Sequence, residues 1–180
     1  RYIANSGSDS MGYDLPAGIG AAQAASDCNQ DGRTIILAGD GSIMMNLQEL
    51  QSLKNSDLNI VLFILDNNGY LSIKQTQSNF FGREHGASPN SGVTFPDFAM
   101  VANAFKLPVK VIKDEYEIDN HLESLILDDT GPRVCVVMLF EDQEFQPRLK
   151  SKIIDGVICT PELDDMFPHL SSDELQSARD

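Results

Sequence analysis

Asp40 stands between two glycines in Gly39-Asp40-Gly41-Ser42, and a second polar turn, Asp66-Asn67-Asn68-Gly69-Tyr70, follows it. A carboxylate, a side-chain amide and a loop carbonyl are hard oxygen donors. Mg²⁺ takes such a set while leaving positions for phosphate oxygens and water. Glycines flanking a carboxylate let the backbone turn sharply and approach a ligand closely. Each motif alone also describes an ordinary turn, Asp-Asn-Asn-Gly being a generic Asx-rich one. Their joint placement is what points to chemistry.

That placement follows from the elements around them. Residues 33–38 (RTIILA) and 60–65 (IVLFIL) read as strands. The second lacks polar alternation, as a strand buried on both faces of a parallel sheet does. Between them, Asn46 to Asn55 sets Leu47, Leu50 and Leu53 on one helical face, with Asn46 and Glu49 at capping-box spacing. A single helix joining two strands makes a right-handed βαβ unit. Both motifs then emerge at the carboxyl edge of the sheet, where open α/β folds bind ligands.

Upstream, the Ala- and Gly-rich residues 13–26 predict a closely packed helix. Downstream, Phe98, Val101, Ala102 and Phe105 mark a helix after Pro96, Val109 to Ile112 a strand, and Ile118, Leu122, Leu125 and Ile126 another helix. Residues 134–140 (VCVVMLF) form the last strand. The order predicts an α/β fold, a doubly wound parallel sheet flanked by helices, over residues 1–141. From Glu141 the pattern is lost. Residues 142–180, with Pro161 and Pro168, read as an irregular, extended C-terminal arm, partly disordered.

Composition narrows the partners. The net charge of −14 excludes nucleic acid and anionic membrane as partners, since both require clustered Lys and Arg. An acidic domain that takes a phosphate ligand needs local help, from a divalent cation or a helix N-terminus. No run approaches the roughly 20 apolar residues of a membrane helix, and no secretion signal opens the chain. It begins at Arg1 rather than Met, which reads as a piece of a longer protein. Cys28, Cys135 and Cys159 have neither metal spacing nor an even count, so they read as reduced thiols of a cytoplasmic protein. His85, His121 and His169 have no ligand spacing and read as surface or loop residues; Phe80-Phe81 reads as core or a subunit contact. Gly82 to Ser91 is a candidate mobile loop over the site.

Asn67 lies 27 positions after Asp40, and that interval after GDGS resembles the thiamine-diphosphate signature, a GDG followed by an Asn-rich turn. Asp66 stands where the family has its first Asn. The resemblance implies that Asp40, the Asn67 side chain and the Gly69 carbonyl bind Mg²⁺, with Gly39, Gly41, Ser42 and Tyr70 around the diphosphate. It extends upstream: Ser6-Gly7-Ser8-Asp9-Ser10-Met11-Gly12, then Leu15-Pro16-Ala17-Gly18-Ile19-Gly20-Ala21, is similar to the acetolactate synthase stretch SGGLGTMG followed by LPAAIGA. By that match Met11 would support the bent cofactor and the Asp9 carbonyl would accept from its 4'-amino group, with Ser10 beside them. Asp9 replaces a family glycine, so its backbone role alone carries over. The resemblance covers about residues 4–140.

In this family a glutamate on a separate pyrimidine-binding domain protonates the cofactor's N1', and no segment here resembles that domain. No catalytic residue is therefore expected within this chain. The expected partners are an N-terminal pyrimidine-binding domain of the same protein and a second subunit, in a homodimer or homotetramer. The pyruvate decarboxylase branch places a catalytic glutamate just after its GY turn, where this chain has Ile73. The resemblance thus implies an enzyme domain for decarboxylation or carboligation of a 2-oxo acid. One alternative is a phosphonopyruvate- or sulfopyruvate-type decarboxylase. Another is a non-catalytic α/β module, such as a receiver phosphorylated on Asp40, which would want a second acidic pair near its first strand and a downstream Lys; neither is evident.

Overall fold

The computed structural model describes residues 1–5, 7–30, 32–127, 131–143 and 146–179, without the side chains of Ile126 and Ser172; Ser6 lies outside the described residues. Two compact units result, Arg1–Asp142 and Gln143–Asp180.

The first unit is built on four parallel strands: β1 (Thr34–Gly39), β2 (Ile60–Asp66), β3 (Val109–Ile112) and β4 (Arg133–Met138), in the order β1-β2-β4-β3. Helices α1 (Asp14–Asp27), α3 (Glu49–Asn55) and α5 (Phe98–Ala104) pack on one face, and α6 (Tyr116–Leu127) on the other. The sheet is doubly wound. The unbroken apolar run of β2 serves both faces: Ile60, Leu62 and Ile64 join Leu15, Leu50, Leu53 and Phe98, while Val61 and Phe63 join Ile112, Leu125 and Cys135. Leu47, Leu50 and Leu53 form the expected inward stripe. β1 is an edge strand with one covered face, since Ile36 and Ala38 are buried while Ile35 and Leu37 are 50% and 63% exposed.

Three differences from the sequence reading have physical causes. Helix α4 (Leu71–Phe81) was not foreseen: it buries no residue, so no apolar face announces it. Asn46 does not cap α3, which starts after Gln48 with no side-chain cap bond; its amide is used elsewhere. The candidate loop Gly82 to Ser91 carries local hydrogen bonds that its sequence does not announce. Gln77 exchanges two hydrogen bonds with the His85 backbone, Ser88 and Ser91 form a reciprocal cap, and the Tyr70 N–H donates to the Ala87 carbonyl.

The second unit contains a hairpin of β5 (Lys152–Ile154) and β6 (Val157–Cys159), and a final helix α7 (Ser172–Arg179). Asp165 is its buried anchor, accepting from Lys152 Nζ at 2.5 Å and paired with His169 Nδ1 at 3.0 Å. This is more local order than the lost sequence pattern implies, because a three-residue hairpin leaves no periodic signature.

Candidate functional site

Parallel register brings the two motifs together. Gly39 of β1 lies opposite Leu65 of β2, so Asp40 and Asp66 leave the sheet side by side at its carboxyl edge. Asp40 opens the four-residue helix α2 (Asp40–Ile43) and is 3% exposed. Its Oδ1 accepts from the Gly41 N–H at 2.7 Å, and its Oδ2 from the N–H groups of Gly69 at 3.0 Å and Asn67 at 3.2 Å. Burial pushes the Asp40 carboxyl above its usual range and neighbouring Asp66 adds to this, while the three N–H donors pull it back. Among the ion pairs of the described residues, none includes Asp40. A buried carboxylate with neutral partners only is costly unless a cation meets it.

The Asn67 amide completes that corner. One of its two terminal atoms lies 3.0 and 3.3 Å from the Asp40 carboxylate oxygens and 2.8 Å from the Gly69 carbonyl. With nitrogen there, the amide donates to all three. With oxygen there, it lies 3.0 Å from Asp40 Oδ2 and 2.8 Å from the Gly69 carbonyl, near the spacing of neighbouring ligands in an octahedron of bonds about 2.0–2.1 Å long. Which atom occupies the position is set by what it meets, and a hard cation selects oxygen. The residues present therefore fit Mg²⁺. Among the described residues no cluster of three His, Cys, Asp or Glu offers a rival site.

Packing fixes the turn around this corner. A methyl group on Gly41 would lie 2.2 Å from Tyr70 Cε1, so only glycine lets the Tyr70 ring sit over the Asp40 turn. That ring meets Phe95 edge-on at 5.4 Å. Asp66 closes its own turn by accepting from the Asn68 N–H at 3.1 Å. Past β4 the chain folds back over the same turn, with the Leu139 N–H on the Asp66 carbonyl, Asn68 donating to Glu141 at 2.8 Å, and Lys74 paired with Asp142 at 2.5 Å. Glu141, Asp142 and Lys74 carry no motif; their place comes from the register of β4 against β2.

The upstream loop reaches Ser42 through the Gly12 N–H. Asp9 takes a left-handed backbone, φ +47°, a conformation that glycine adopts without steric cost. The Ser10 carbonyl accepts from Asn5 Nδ2 at 3.2 Å. Met11 is 43% exposed, which excludes a core role. The structure thus gathers Gly39, Asp40, Gly41, Ser42, Asn67, Gly69 and Tyr70 at one corner, and joins the loop of Asp9, Ser10 and Met11 to it through Gly12 and Ser42. Ile73 lies in the first turn of α4, and Phe81 is 67% exposed.

Residues 1–137 match the thiamine pyrophosphate enzyme family, C-terminal TPP binding domain. The chain belongs to this family. It is 32% identical over 147 residues to the acetolactate synthase isozyme 2 large subunit of Escherichia coli, a match covering 82% of this chain and 26% of that protein. To the chloroplastic acetolactate synthase 2 of Zea mays it is 27% identical over 168 residues, 87% of this chain and 25% of the relative. The chain therefore spans about a quarter of the length of these relatives. Among solved structures, benzoylformate decarboxylase from Polynucleobacter necessarius superposes with a TM-score of 0.65 at 19% identity, over 76% of this chain and 25% of that one. The 4-hydroxybenzoylformate decarboxylase of Rhodococcus jostii gives 0.63 at 23% identity, over 76% and 24%. These two share the fold. The cofactor of the domain is thiamine diphosphate, the pyrophosphate ester of thiamine. No helix among the described residues is long and apolar enough to cross a membrane.

Proposed function

We propose that Asp40, Asn67 and the Gly69 carbonyl hold Mg²⁺, that this ion anchors thiamine diphosphate, and that the domain serves a longer enzyme acting on 2-oxo acids by decarboxylation or carboligation. The observation that carries the reading is the oxygen corner around a buried carboxylate that has no cationic partner among the described residues. Bound thiamine diphosphate supplies the electron sink that lets the bond between C1 and C2 of a 2-oxo acid break. The chain's own residues bind and orient. Gly39, Gly41 and Ser42 border the diphosphate. The Ser42 hydroxyl donates to Asp14, so its contribution to the diphosphate falls to the backbone. Tyr70 holds the Asp40 turn, while Met11, Ser10 and the Asp9 carbonyl face the ring end.

Residues 1–141 are the binding part in this reading, and 142–180 a separate C-terminal piece. The carboxylates of Asp40 and Asp66 sit at the metal end and Asp14 is bonded to Ser42, so none is placed for proton transfer at the pyrimidine. A preceding domain of the same protein and a second subunit supply that acid. Exposed Ile35, Leu37, Met11 and Met45 give such partners an apolar surface. Acetolactate synthases as relatives, and Ile73 in place of a glutamate, favour carboligation. Three free cysteines suit the cytoplasm. Carbon dioxide release from pyruvate with saturating thiamine diphosphate and Mg²⁺ tests the division of labour: turnover by the intact protein and none by residues 1–180 alone. Normal turnover by the isolated chain would place the missing acid within it.

A further inference from the structure

Gly12 is gripped at both ends of its peptide by the segment that follows Asp40. Its N–H donates to Ser42 Oγ at 2.9 Å, and its carbonyl accepts from Asn46 Nδ2 at 2.6 Å. The grip is close and needs glycine twice over. Its φ is +80°, and a methyl group would lie 2.7 Å from Met45 Cβ and 2.8 Å from Asn46 Nδ2. Ser42 Oγ is oriented in turn by Asp14, whose Oδ2 accepts its proton at 2.6 Å while Oδ1 accepts from the Leu15 N–H at 2.8 Å. A hydroxyl that donates to a carboxylate presents its lone pairs to an N–H. Asp14, at the start of α1, thus fixes the direction in which Ser42 holds Gly12. None of Asp14, Gly12 and Asn46 belongs to the proposed ligand set.

This clamp joins two halves of one site. Asp40 to Ser42 borders the diphosphate end, and the loop ending at Gly12 carries Asp9 and Met11. We propose that Asp14 and Asn46 are positioning residues: they lock the Asp9–Met11 loop to the Asp40 turn and so set the fit for the ring portion of the cofactor, separately from its diphosphate. The proposal rests on the binding site proposed above.

The two ligand portions separate the clamp from other roles. Removing the Asp14 carboxylate takes a negative charge away from Ser42, so electrostatics alone predicts tighter diphosphate binding. Lost positioning predicts weaker binding of the whole cofactor. The experiment titrates metal-free, cofactor-free intact protein with Mg²⁺-pyrophosphate and with Mg²⁺-thiamine diphosphate, for wild type, Asp14→Ala and Asn46→Leu. A lost hydrogen bond is worth about fivefold to tenfold. Thiamine diphosphate should weaken by at least that factor in both variants, while pyrophosphate stays within about twofold or tightens. Asp14→Asn, which keeps an acceptor oxygen, should recover most of the loss. Without any ligand, amide exchange of residues 7–13 should speed up in both variants and that of β2 should not. Equal losses of both ligands, or an unchanged preference for thiamine diphosphate, overturn the proposal. Unchanged exchange in the ligand-free protein overturns the clamp itself, whatever the cofactor. Wild-type protein that binds neither ligand removes the underlying site instead.

Discussion

Replacing Gly41 by alanine sets two effects against each other, and the structure decides between them. Gly41 lies in α2, where alanine gains about 0.5–1 kcal/mol over glycine in backbone entropy. Its new methyl group, however, would meet Tyr70 Cε1 at 2.2 Å, Cδ1 at 2.5 Å and Cζ at 3.2 Å. Carbon atoms in contact rest at about 3.5–4.0 Å, so the ring has to leave. Swinging it off its rotamer costs about 0.5–1.5 kcal/mol. Losing the edge-on contact with Phe95 costs a further 0.5–1.5 kcal/mol or so. With the helical gain subtracted, Gly41→Ala should destabilise by about 1 kcal/mol, within a range of about 0–2.5. At that central value Tm falls by roughly 2–4 °C for a chain of this length. Thermal melting of the single variant measures the sum; a cycle with Tyr70→Ala isolates the cause. In the Tyr70→Ala background the same substitution should be neutral or stabilising, a coupling of about 1–3 kcal/mol. An equal cost in both backgrounds would refute the argument that the ring dictates glycine here.

Two further outcomes follow from buried groups. Cys135 is fully buried, with its thiol pushed up to about 11 by that burial against a weaker opposing pull from Lys110, whereas Cys28 is exposed. An alkylating reagent at pH 7–8 should therefore modify Cys28 in the folded protein and reach Cys135 only on unfolding, as peptide mass mapping will show. In the second unit, the hydrogen bond from Lys152 holds Asp165 below the usual carboxylate range, with His169 acting the same way against a desolvation that raises it. A carboxyl depressed on folding stabilises above its unfolded value, and that contribution is lost as pH falls through the folded one. Amide protection of residues 148–170 should thus decline with acid below about pH 4. Asp165→Asn should lower protection at pH 7 and flatten this dependence; an unaltered pH profile would show that Asp165 does not anchor the unit.

How much of this was legible depended on whether a residue's role was local. IVLFIL announced β2 because a strand covered on both faces carries no polar alternation, and the βαβ order alone put Asp40 beside Asp66. The likeness of Gly41-Ser42 and Asn67 to a known spacing reached the corner, but not the reason for Gly41, which lies in a ring far along the chain. Asn46 shows the limit clearly. Three residues before Glu49 it satisfies the capping pattern, yet it lies within the 3-10 turn Met44–Asn46, its Oδ1 accepts from Gln48 Nε2, and its Nδ2 donates to the Gly12 carbonyl. Asp14 reads as an acidic residue at a helix start and reveals its partner, Ser42, only in three dimensions. Helix α4 was invisible because its sequence, LSIKQTQSNFF, is mostly polar and buries none of its residues.

The central claim is that one buried carboxylate recruits the metal that recruits the cofactor. Calorimetric titration of the intact protein with thiamine diphosphate, at Mg²⁺ concentrations from none to saturating, tests it most directly when wild type is set beside Asp40→Ala. Matched melting curves of the cofactor-free proteins establish that the variant is folded. Wild type should bind the cofactor only as Mg²⁺ is added, and folded Asp40→Ala should not bind it at any Mg²⁺ concentration. Undiminished binding by Asp40→Ala, or wild-type binding that ignores Mg²⁺, would contradict the account.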